Sequence, residues 1–172
     1  MVRHHPPRPG GGCAPRRRDQ PRRRSPEKPV LMPVAHVHLV AGTYPVERLE
    51  DLQAGITSLY CEVLSCPVDR VRVFVVEYPA GNVMSAGRPV TSHEDGAPYF
   101  TMRLLSGRPP EQARRLLEGV SNLLAEVLGY ELATVRGELV EVDPAHWAIG
   151  GRVAADVRGA EIRARKDGGA RR

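Results

Sequence analysis

The amino-acid sequence predicts an α/β domain of the two-layer α+β kind. Two tandem β-α-β units form one four-stranded sheet with two helices on one face. Three observations predict it. Residues 33–88 and 98–152 read as two versions of one plan. Within each, apolar residues recur at helical spacing. On either side of each helical stretch lies a strand-like run.

Unit one opens on PVAHVHLVAG and unit two on PYFTMRLLSG. Each begins with proline and reaches a glycine nine residues later, Gly42 and Gly107. Proline then marks each helix start, Pro45 in the first unit and Pro109 with Pro110 in the second. Its fixed φ suits a first helical turn, where the missing N–H has no intrahelical partner to lose. Leu49, Leu52, Ile56, Leu59 and Val63 recur at spacings of three and four and predict an amphipathic helix. Ala113, Leu116, Val120, Leu123 and Val127 do the same in unit two, and Gly129 is a natural stop. The runs that follow, VRVFVVEY (71–78) and TVRGELVEV (134–142), predict strands, each with Val-Arg near its start. Glycine-bearing turns come next, GNVMSAGR and HWAIGGR, and the polar stretch PVTSHEDGA links the units. A right-handed crossover makes the two strands of each unit parallel. VFVV is apolar on both faces, so the sheet face away from the helices needs cover, which association between copies would supply.

A length of 172 residues suits one compact domain, expected at residues 32–152. The net charge of +5 sits at the ends. Residues 1–31 carry nine Lys and Arg against Asp19 and Glu27, and residues 153–172 carry six against three. Residues 33–152 carry ten against fifteen acids, so the basic pI does not make the whole chain a nucleic-acid binder. Residues 1–31, with seven prolines and clustered arginine, are expected to be a disordered basic extension. They lack the apolar segment of a secretory signal and the amphipathic face of a transit peptide. Two origins stay open for them: a basic arm that binds nucleic acid non-specifically, or upstream sequence absent from the mature protein. Residues 153–172 are expected to be a flexible basic tail.

No apolar run approaches the length of a membrane span. Cys13, Cys61 and Cys66 are odd in number and lack metal-ligand spacing, so they read as ordinary thiols in a reducing cytoplasm. Five residues apart on a predicted helix, Cys61 and Cys66 are not expected to face each other. His36 and His38 alternate on a strand with no third ligand apparent and read as strand residues.

The dipeptide Met32-Pro33 poses the functional question. If Pro33 is internal, its nitrogen is an inert amide. If Met32 is the start and is removed, Pro33 carries a secondary amine. An α-amino group titrates near a pKa of roughly 7.7–8.0. Apolar burial and neighbouring arginines both disfavour its cation and lower that value. A base poised near pH 7 suits proton abstraction beside a carbonyl. Pro98 lies mid-chain, and its amide nitrogen cannot serve.

The Met-Pro opening, PVAHVHLV before glycine, the arginine at the start of the second strand, and Ile149-Gly150-Gly151 after Trp147 together resemble a known family. It is the tautomerase superfamily, in its 4-oxalocrotonate tautomerase group, here as a fused two-unit member over about residues 32–152. The resemblance implies a β-α-β building block, trimers of fused chains, no cofactor or metal, and a catalytic amino-terminal proline, here Pro33. It implies that an arginine ten residues after the opening proline and another at the start of the second strand bind the substrate's carboxylate and carbonyl oxygens. The first is Arg108 in unit two, where unit one has Thr43. The second is Arg72 or Arg136, and the sequence does not choose between them. Trp147 stands where the family has an aromatic pocket wall. Relatives that hydrate halogenated acrylates carry a second arginine and an acid where this chain has Leu105 and Ile149, which points away from dehalogenation.

The expected activity is therefore that of an isomerase, a keto–enol or double-bond 1,3-proton transfer on a small 2-keto or 2-hydroxydienoate carboxylic acid. The expected setting is a cytoplasmic trimer without membrane contact, binding nucleic acid only if the basic arm is retained. The alternative is a catalytically inactive tautomerase-fold scaffold whose basic arm binds a polyanion.

Overall fold

The computed structural model describes residues 33–90, 96, 98–157 and 159, so the basic extension and most of the basic tail lie outside the described residues. Unit one contains β1 (Val34–Val40), α1 (Val46–Leu64), β2 (Arg72–Tyr78), β3 (Met84–Ser85) and β4 (Arg88–Pro89). Unit two repeats that order as β5 (Tyr99–Leu105), α2 (Pro110–Leu128), β6 (Arg136–Val142), β7 (Ala148–Ile149) and β8 (Arg152–Val153). The helices start where proline predicted: Pro45 and Pro109 are the N-cap residues, and Pro110 stands in the first turn of α2.

The main sheet has the order β2-β1-β5-β6. β1 runs parallel to β2, β5 parallel to β6, and the two units join antiparallel through β1 and β5. In that join Val34 lies opposite Arg103 and His38 opposite Tyr99. The start of β1 is therefore beside the end of β5, and the start of β5 beside the end of β1.

Ala35, Val37 and Leu39 of β1 and Phe100, Met102 and Leu104 of β5 form the floor of the core. Leu52, Ile56, Leu116 and Val120 cover them from the helices, as the periodicity predicted. The buried stripe also takes in Tyr60, Leu64, Leu124 and Leu128, while Leu59 and Leu123 stay partly buried. Those two leucines pack helix to helix instead. A Cβ on Gly119 would lie 2.6 Å from Leu59 Cδ2, and one on Gly55 would lie 3.0 Å from Leu123 Cδ2. Each leucine thus fills the notch left by a glycine on the opposite helix.

The face away from the helices carries His36, His38, Phe74, Tyr78, Tyr99 and Arg103. His36 stacks on Phe74 with ring centroids 5.1 Å apart, and His38 stacks on Tyr78 at 5.7 Å. Phe74 remains 48% exposed, which is unusual for a phenylalanine in a sheet and leaves an apolar, aromatic face open on the single chain. Among the described residues, no helix is long and apolar enough to cross a membrane.

Candidate active site

Strand direction decides which of the candidate residues share a neighbourhood. Pro33 immediately precedes β1, is fully buried, and accepts the Arg72 backbone N–H on its carbonyl at 3.0 Å. Arg72, the first residue of β2, is therefore at the Pro33 end. The antiparallel join brings the end of β5 to the same end, and with it the loop holding Arg108. β6 runs parallel to β5 and pairs its last residue, Val142, with Leu105. The chain then passes through a short turn, Pro144–His146, to Trp147. Pro33, Arg72, Arg108 and Trp147 are thus brought to one end of the sheet.

Arg136 is not. It starts β6, and its backbone N–H bonds the carbonyl of Pro98 at 3.1 Å. A seven-residue strand separates the two ends by about 20 Å. Thr43 and Val83 accompany it, for the antiparallel join and the β2 direction carry the ends of β1 and β2 to the Pro98 end.

Side-chain anchors differ among the arginines. Arg108 is half-buried, and its Nη1 donates to Gln112 Oε1 at 3.0 Å. Arg72 Nη1 donates to the carbonyls of Asp69 and Val71 at 2.7 and 2.9 Å. Arg136 makes the same pair of bonds to Ala133 and Val135. The strand arginines are thus planted on the turns that lead into β2 and β6, whereas Arg108 stands where unit one has Thr43. Trp147 is half-buried, and its carbonyl accepts the Ala154 N–H at 2.7 Å. In unit one Val83 accepts the Val90 N–H in the same way at 3.0 Å, so Val83 is the structural counterpart of Trp147.

Helical spacing misplaced Cys66. α1 ends at Leu64, Ser65 adopts a left-handed φ of 51°, and the chain folds back. Cys66 Sγ then donates to the Tyr60 carbonyl at 3.7 Å and interacts with the Cys61 thiol, contrary to the expectation that the two do not meet. Burial pushes the Cys66 thiol up, Cys61 adds to that, and the Arg108 cation pulls the other way. Cys66 therefore stands near Arg108, which no spacing rule indicated. Among the described residues, no group of three or more His, Cys, Asp or Glu could hold a metal ion.

A family model described as tautomerase enzyme matches residues 33–92 and again residues 98–156. The chain belongs to the tautomerase family. A curated relative, the 2-hydroxymuconate tautomerase of Pseudomonas putida, is 34% identical over 61 residues, covering 36% of this chain and 97% of the relative. Such a relative is one unit long, and this chain carries two. Among solved structures, native fused 4-OT superposes with a TM-score of 0.67 at 28% identity, covering 72% of this chain and 98% of its own. The F6 fused 4-OT, an asymmetric trimer, does so at 0.66 and 27% with the same coverage. A member of the cis-3-chloroacrylic acid dehalogenase family shares the fold at a TM-score of 0.60 and 21% identity, covering 78% of this chain and 99% of its own.

Proposed function

We propose that this tautomerase-family chain isomerises a small 2-keto or 2-hydroxydienoate carboxylic acid, with Pro33 as an amino-terminal base. The observation that carries the reading is the gathering of Pro33, Arg72, Arg108 and Trp147 at one end of the sheet. In the active form Pro33 is the first residue, and its burial, with Arg72 and Arg108 at the same end of the sheet, favours the neutral secondary amine. The amine takes a proton from the hydroxyl, or from the carbon beside the carbonyl, and returns it at the other end of the conjugated system. Arg108 grips the substrate carboxylate as a bidentate fork, and a strand arginine stabilises the charge that spreads onto the carbonyl oxygen. Arg72 fills that role within the chain; Arg136 fills it only from a neighbouring copy. Trp147 walls the pocket and excludes water. No cofactor or metal takes part.

Assembly is a homotrimer, supported by the trimeric fused relatives and by the exposed aromatic face around Phe74. Three copies closing on that face would bury it. The domain occupies residues 32–152, in units 33–88 and 98–152, and the proposed location is the cytoplasm.

The test is an ultraviolet assay with 2-hydroxymuconate, run beside chloride release from 3-chloroacrylate. Chain prepared to begin at Pro33 is expected to consume the first and leave the second untouched, because Leu105 and Ile149 supply neither the extra cation nor the acid that hydration needs. Chloride release without isomerisation would overturn the reading. The scaffold reading rests on the basic stretch before Met32: with the Met32–Pro33 bond intact there is no basic nitrogen. It predicts polyanion binding that needs residues 1–31 and vanishes with salt.

A further inference from the structure

Arg108 stands on a loop that both units build the same way. Gly107 turns the chain out of β5 at a φ of 88°, and Gly42 turns it out of β1 at 73°. Both are left-handed values that glycine adopts without strain. The side chains then part. Unit two has Arg108 and, four residues on, Gln112; unit one has Thr43 and Glu47. Thr43 is turned inward on its own loop, its hydroxyl donating to the Val40 carbonyl at 2.7 Å. Arg108 reaches forward instead, its Nη1 donating to Gln112 Oε1 at 3.0 Å.

The start of α2 explains why that amide is available. Pro109 is the N-cap residue, and Gln112 is the third residue of the helix. A glutamine at that position ordinarily reaches back to the N–H of the N-cap residue. Proline has no N–H, so that partner does not exist here. The Gln112 N–H closes the first turn on the Pro109 carbonyl at 3.0 Å, which fixes the backbone from which its side chain extends. The amide oxygen then goes one residue further back, to the guanidinium. Both side chains are half-buried, so the bond is partly shielded from water.

We infer that Gln112 is a positioning residue for Arg108: it holds the guanidinium in the orientation that meets a substrate carboxylate, and it does so without adding a negative charge. The inference rests on the carboxylate-binding role proposed for Arg108. A long arginine side chain loses rotamer freedom when it grips a carboxylate, and a bond that has already fixed it lowers that cost. A bidentate fork also needs its plane set. A carboxylate at position 112 would orient the arginine equally well, but it would compete with the substrate for the same N–H groups. An amide avoids that competition. The Cys66 thiol, which also stands near Arg108, is pushed up by burial and is likewise uncharged at pH 7.

The test compares two variants in chain beginning at Pro33. Gln112→Glu keeps the size and the hydrogen bond and adds the charge; Gln112→Leu removes the bond. Steady-state kinetics with 2-hydroxymuconate are read beside the thermal midpoint. Gln112→Leu is expected to raise KM about 3–10-fold and Gln112→Glu more than about tenfold, each with kcat within about twofold. The midpoint of Gln112→Glu should not fall, because an acid suits the first turn of a helix. A merely structural glutamine would not couple to Arg108. In an Arg108→Ala background, Gln112→Leu should therefore change kcat/KM by less than about twofold. Gln112→Glu carries the test alone should Gln112→Leu fail to fold. Folded variants with an unchanged KM, or an undiminished effect of Gln112→Leu without Arg108, overturn the inference and leave the proposed function standing. Unsubstituted chain beginning at Pro33 that does not turn over 2-hydroxymuconate overturns the proposed function and this inference with it.

Discussion

The two ends of the sheet are built from one plan and differ in what they can do. At one end stand Pro33, Arg72, Arg108 and Trp147; at the other stand Pro98, Arg136, Thr43 and Val83. Each proline precedes a central strand, and each strand arginine hands its backbone N–H to that proline's carbonyl. Beyond that backbone symmetry the ends part. A fused chain has one amino terminus, so a free secondary amine can exist at one end only. Arg108, which replaces Thr43, and the only tryptophan stand at that same end. Duplication supplies two equivalent scaffolds, and on the proposed reading only the one that holds the amino terminus can host the base.

The largest expected contrast is between the prolines. In chain beginning at position 33, Pro33→Ala should lower kcat/KM for 2-hydroxymuconate by about 10²–10⁴-fold, the usual worth of a positioned base. Pro98→Ala should leave it unchanged within error. Equal losses would erase the distinction between the ends. Next comes the arginine pair. Arg108→Ala removes charge-assisted bonds worth about 1.5–3 kcal/mol, so kcat/KM should fall about 10–100-fold, with KM rising. Thr43→Ala should do nothing measurable in the same assay.

A third contrast concerns packing rather than chemistry. Phe100 lies across from Gly137, and a Cβ on that glycine would clash with the ring. In unit one the same register holds Ala35 across from Val73. One unit pairs large with none, the other small with medium. Gly137→Val should therefore cost about 1–3 kcal/mol in urea unfolding, the usual range for overpacking. Adding Phe100→Ala, which rebuilds unit one's pair, should recover part of that loss, and a double-mutant cycle would read the coupling.

The smallest effect is in pH. His36 and His38 of unit one correspond to Thr101 and Arg103 of unit two, so unit two has no histidine on this strand. Burial lowers both histidines below their ordinary 6.5, with Arg103 adding to it and His36 adding to the shift of His38. The unfolded chain then holds more protons than the folded one around pH 6. Stability is fully present above about pH 6.5 and declines as pH falls through the lowered folded values. Replacing both histidines with glutamine should flatten the unfolding midpoint between pH 7 and pH 5. Both side chains are only partly buried, so the slope should be shallow.

Much of this organisation was legible in the sequence because period and punctuation are local. Leu52, Ile56, Leu116 and Val120 repeat at helical spacing, and Pro45, Pro109 and Gly129 mark ends whose chemistry is set by proline and glycine alone. Arg108 and Trp147 could be singled out by the resemblance to the tautomerase superfamily. What could not be read is anything that depends on strand order. Arg72 and Arg136 look alike in sequence, and only the antiparallel join of β1 and β5 sends one to the Pro33 end and the other away. Leu59 and Leu123 fit the helical stripe, yet they pack on Gly119 and Gly55, because a helix pair crosses there. Cys66 met Cys61 because Ser65 turns the chain, a left-handed residue that no side-chain rule favours.

The most direct test of the central claim is the intact mass and amino-terminal sequence of the fraction that isomerises 2-hydroxymuconate, purified from the protein's own host. The account predicts that activity travels with chain beginning at Pro33 and is absent from any longer form. Activity in chain that still carries Met32 ahead of Pro33 would contradict it, because that proline has no basic nitrogen to lend.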